Sequence, residues 1–85
     1  MKPRLDYTAA HTHFMQAVAG ELPARGMGKL LTRLRRDGAF ARLAARRTYR
    51  KFIEAGGDVG DWPAFVAWIK ENWSVVLQIL MLLLL

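Results

Sequence analysis

Residues 61–85, DWPAFVAWIKENWSVVLQILMLLLL, set the problem this chain has to solve. The segment opens like a helix, has almost no polar relief and closes on four consecutive leucines. A chain of 85 residues has little interior in which to hide so much apolar surface, because small domains bury a smaller share of their surface than large ones. A bilayer or other subunits are therefore expected to cover it.

Asp61 can accept hydrogen bonds from the free N–H groups of a first helical turn, and Pro63 stands where no intrahelical donor is lost. One helix from Trp62 onward would be ~36 Å long, enough to cross ~30 Å of hydrocarbon. Lys70, Glu71 and Asn72 argue against a simple span, since an ionised group inside the slab costs about 3 kcal/mol or more. Starting after Asn72 leaves only ~20 Å. Lys70, Ser74 and Gln78 recur every fourth residue and gather the polar groups in one narrow stripe. Such a stripe is the solvent face in a soluble bundle and a helix-to-helix contact in a membrane or oligomer. Trp62, Phe65, Trp68, Ile69, Trp73, Val76, Leu77, Leu80, Leu83 and Leu84 are expected to meet lipid or another subunit. Residues 79–85 have no polar face, which favours that reading over a self-contained core.

The rest of the chain reads as helical too, giving an all-α fold of three helices in a single small unit. A basic amphipathic region, residues 1–57, precedes the hydrophobic helix at 61–85. Residues 1–5 read as a short extended basic lead. Asp6 or Thr8 can cap a first helix over about 6–19, with Ala10, Phe14 and Val18 on one face and Gly20 as its stop. The second helix is expected over 24–55, ended by Gly56 and Gly57 and either kinked or broken at Asp37 and Gly38. Leu31, Leu34, Gly38, Ala41, Ala45, Thr48 and Phe52 hold one face across that point, which favours a continuous or kinked helix. Gly38, Ala41 and Ala45 would let another helix approach closely.

Charge is concentrated in that second helix. Net charge is +6, yet residues 25–51 alone hold ten basic residues against Asp37. Lys29 with Arg33, and Arg42 with Arg46 and Arg50, repeat at i+4; Arg47 and Lys51 form a parallel row, and Arg35 and Arg36 add to the set. Rows of like charge repel, so a partner of opposite charge would relieve them. Eight of the ten are arginine, whose guanidinium pairs with phosphate through two hydrogen bonds. The expected partner is a polyanion, either nucleic acid or anionic lipid. A helix-turn-helix reading of bases is disfavoured, because the segment offers Arg and Lys and almost none of the Gln, Asn or Ser that read base edges.

No catalytic constellation can be assembled. There is no cysteine and no Gly-rich phosphate loop, and the seven carboxylates are scattered among caps and turns. His11 and His13 stand two apart and point to different faces of a helix, which is wrong for joint metal ligation. Neither an enzyme, nor a cofactor, nor a metal site is expected. Residues 1–20 have no apolar core of a signal peptide, so synthesis is expected in the cytoplasm, followed by membrane association or incorporation into an assembly. The favoured reading is a non-enzymatic structural subunit of a larger complex, such as a virion or membrane assembly. It would bind copies of itself or other subunits through the apolar helix and a polyanion through the arginine-rich one. The alternatives are a tail-anchored or interfacial membrane protein of pore-forming or lysis type, and a soluble module that binds nucleic acid without sequence preference.

Overall fold

The computed structural model describes residues 4–85; residues 1–3, within the expected extended lead, lie outside the described residues. The described residues are all-helical, as expected, but form five helices rather than three: α1 (Tyr7–Ala24), α2 (Gly28–Arg36), α3 (Gly38–Glu54), α4 (Trp62–Glu71) and α5 (Trp73–Leu84). Each departure from the expected boundaries has a local cause.

Asp6 caps α1 as read, its carboxylate accepting from the Ala9 N–H at 3.0 Å. Gly20 does not stop it. The helix continues one more turn because Leu22, at its far end, is wholly buried, and that burial outweighs the roughly 1 kcal/mol a helical glycine costs. The stop comes at Gly26, where a φ of 74° lets the Met27 N–H donate back to the Leu22 carbonyl at 2.8 Å and the Gly26 N–H to Pro23 at 3.1 Å.

Asp37 breaks the expected 24–55 helix in two. It adopts an extended conformation, with φ −112° and ψ 92°, closes α2 by donating its N–H to Arg33, and opens α3 by accepting from the Phe40 N–H at 3.1 Å. The apolar face survives the break: Leu31, Leu34, Ala41, Ala45, Thr48 and Phe52 are all buried, and only Gly38 of the expected face is exposed. The buried Ala41, Ala44 and Ala45 make a shallow surface against which α1 lies along α3. Gly56 and Gly57 end α3 as expected. The Gly57 N–H donates to Phe52 at 2.9 Å, and the Phe52 ring lies so close that a Cβ on Gly57 would stand 2.4 Å from it.

Beyond the Gly60 turn, whose N–H donates to the buried Tyr49 hydroxyl at 3.2 Å, Asp61 caps α4 through the Ala64 N–H at 3.2 Å. Tyr49 also centres an aromatic cluster, with Trp62 and Phe65 at 5.1 Å and Phe52 at 6.1 Å, that fixes α4 on α3. His13 stacks flat on Trp62 at 4.9 Å and ties α1 to the same cluster.

The expected apolar helix over 61–85 is two helices meeting at 84°. Asn72 ends α4 by donating both its backbone N–H (2.8 Å) and its side-chain Nδ2 (3.0 Å) to the Trp68 carbonyl, and its own carbonyl then starts α5. Packing explains the turn. A straight helix would carry its second half away from the body, whereas the bend lays α5 across α3 and buries Trp73, Val76, Ile79 and Leu80. Burying each such side chain stabilises by about 1.5–3 kcal/mol, far more than the few hydrogen bonds of one interrupted turn. The expectation that this chain cannot shelter its own tail is therefore corrected in part: Trp73, Val76 and Leu80, with Phe65 and Ile69 of α4, belong to its own core, whereas Met81, Leu82, Leu84 and Leu85 stay exposed. Among the described residues one buried side-chain polar atom, the Trp73 Nε1, has no acceptor, while Arg25 lies 5.0 Å over the same ring.

Candidate polyanion-binding surface

The 3.6-residue period sorts α2 and α3 into two faces. Leu31 and Leu34 turn inward from α2, and Phe40, Ala41, Ala44, Ala45, Thr48, Tyr49 and Phe52 from α3. What remains on the outside is the basic set. Lys29, Arg33, Arg35, Arg36, Arg42, Arg46, Arg47, Arg50 and Lys51 are all exposed.

Few of these charges are answered within the chain. Among the described residues, Arg33 approaches Asp37 at 3.9 Å and Lys51 approaches Glu54 at 3.8 Å, both in solvent-screened pairs at the limit of an ion contact. Arg46 places its guanidinium 4.6 Å over the Tyr7 ring and Arg33 lies 5.4 Å over Phe40, contacts that orient the two groups without neutralising them.

The surface is not flat. Tyr7, Thr8 and His11 of α1 and Arg42, Leu43 and Arg46 of α3 line an open concavity of about 370 Å³, whose lining residues carry two guanidinium groups, two hydroxyls and an imidazole. A second hollow of about 250 Å³ lies between α3 and α5. It has Arg47, Arg50, Lys51 and Glu54 on one side and Ile79 and Leu82 on the other. Arg33, Arg36, Asp37 and Gly38 bound a third. A phosphate group entering the first or second would find donors able to pair with it in a bidentate way. The two histidines diverge as read: His11 borders the Arg42–Arg46 concavity, and His13 lies against Trp62. Among the described residues no group of three metal-binding side chains converges.

The residues expected to meet lipid or another subunit divide. Phe65, Ile69, Trp73, Val76 and Leu80 are core; Trp62, Trp68, Leu77 and Leu83 are half-buried; Leu84 is 40% exposed. Sequence reasoning missed the most exposed apolar residues of α5, Met81 at 53% and Leu82 at 57%. The signal was present in Ser74 and Gln78, which are exposed and place Leu82 on their own face at i+4 and i+8. Lys70 does not share that stripe. It belongs to α4, on the far side of the bend, so the three polar residues form no single ridge.

Comparison of the chain with known protein families, with curated proteins and with solved structures finds no match.

Proposed function

We propose that the protein is a non-enzymatic helical subunit that binds a phosphate-bearing polyanion across α2 and α3 and joins a larger assembly or surface through the exposed end of α5. One observation carries this reading. Nine basic side chains stand outward on two consecutive helices whose opposite faces are core, and among the described residues only Arg33 and Lys51 of the nine come within 4.0 Å of a carboxylate oxygen. A face kept cationic at the cost of its own repulsion gains most from an external anion.

Binding of this kind is dominated by release of counterions from the polyanion and weakens steeply with salt. The guanidinium groups supply paired donors to phosphate oxygens, and the long side chains adapt to the spacing of the phosphates, so no particular base sequence is required. The bend at Asn72 counts against a straight membrane anchor: among the described residues no single helix is long and apolar enough to cross a membrane.

The test is a salt titration of binding to heparin and to duplex DNA. Replacing Arg42, Arg46 and Arg50 by glutamine should leave the fold intact and lower the slope of log affinity against log salt by about 3. An unchanged slope would reduce the basic face to solvated surface.

A further inference from the structure

We propose that the exposed end of α5, together with Arg47, Arg50 and Lys51 beside it, is a docking surface for an anionic lipid bilayer that is entered from one side and not spanned. The inference rests on the polyanion reading above and identifies the phosphates as those of lipid headgroups.

The outer face of α5 changes character along its axis. It begins with Ser74 and Gln78 and ends with Met81, Leu82, Leu84 and Leu85, all of them exposed. Leu82 and Ile79 line one hollow with Arg47, Arg50, Lys51 and Glu54, so the cations border the apolar tip instead of pointing elsewhere. A leaflet presents the same two layers in the same order, an anionic phosphate sheet and hydrocarbon just beneath it. Lysine and arginine suit the boundary, because their aliphatic stems can lie on hydrocarbon while the charged ends stay among the headgroups. Nucleic acid would use the cations and leave the leucines in water. A second copy would cover the leucines, but a two-fold contact at this tip would gather two sets of Arg47, Arg50 and Lys51 around one seam, with only Glu54 in each set to offset them.

The experiment is sedimentation of the full chain with phosphatidylcholine vesicles, prepared with and without phosphatidylglycerol, alongside heparin retention and native mass measurement. The wild type should bind only the anionic vesicles. The double variant M81S/L82S, altered at exposed positions, should bind them at least ~10-fold more weakly with heparin retention and melting temperature unchanged. R47Q/R50Q/K51Q should weaken vesicle binding by about 100-fold and heparin retention as well. Vesicle binding by M81S/L82S equal to wild type overturns the docking surface and leaves the polyanion reading standing. So does binding of duplex DNA, measured by the same salt titration as above, with no binding to anionic vesicles, which assigns the polyanion to nucleic acid. Self-association that M81S/L82S disperses, with no vesicle binding, gives the tip to a second copy. Failure to bind heparin, DNA and anionic vesicles alike overturns both readings.

Discussion

The α2–α3 pair and the α4–α5 pair are built from opposite materials and are judged differently by composition and by structure. The first is crowded with like charge, and the fold does nothing to hide it: its basic residues remain outside. The second is crowded with apolar side chains, and the fold hides most of them by turning the chain 84° at Asn72. A charge cannot be buried without a partner, so its location follows from composition. An apolar residue can be covered by its own chain, another chain or lipid with similar gain, so its location depends on geometry that composition does not contain.

That contrast can be broken most forcefully within α5. Leu80→Asp should unfold the protein, because a carboxylate at a position with no exposure costs several kcal/mol out of a total stability of ~5–15 kcal/mol. Leu82→Asp, two residues along at 57% exposure, should stay within about 0.5 kcal/mol of wild type. Equal melting temperatures for the two variants would mean that α5 is not docked on α3. The link between the regions is the next most sensitive point. Gly57→Ala should destabilise by about 1–3 kcal/mol through collision with the Phe52 ring, whereas Gly20→Ala, with nothing within 4 Å of the new Cβ, should stabilise by about 1 kcal/mol. Urea unfolding midpoints separate the two signs. Asn72→Ala removes the Nδ2 bond that helps end α4 and should cost about 1 kcal/mol. No loss there would mean that the bend is held by packing alone. The smallest effect is expected for Arg42, Arg46 and Arg50 changed to glutamine, which should move stability by no more than ~0.5 kcal/mol while weakening the proposed polyanion binding. A large fall in melting temperature would show those residues to be structural.

Signals that act through the neighbouring backbone were legible in the chain itself. Asp6 and Asp61 cap α1 and α4, and Gly56 with Gly57 ends α3, because each needs only residues a few positions away. The inward face from Leu31 to Phe52 was legible for the same reason, apart from Gly38, since periodicity outlasts a one-residue break. Gly20 misled because the gain that overrides it comes from burying Leu22, and Asp37 misled because a preserved face does not require a continuous helix. Asn72 carries a local stop signal in its side-chain bond to the Trp68 carbonyl, but the stop becomes a corner because Val76 and Leu80 find a surface on α3. The outward face of α5 was marked by Ser74 and Gln78, but reading it required α5 to be taken as a helix separate from α4.

The corner at Asn72 also limits depth. Only the outer side of the last turn of α5, about 5 Å of axis carrying the exposed Met81, Leu82 and Leu84, faces away from the body, while Leu83 packs on the core; a hydrocarbon leaflet is ~15 Å deep. A protein held this way would act as a shallow wedge: it would spread one leaflet, leave the opposite leaflet and the permeability seal undisturbed, and come away again when salt screens its arginines.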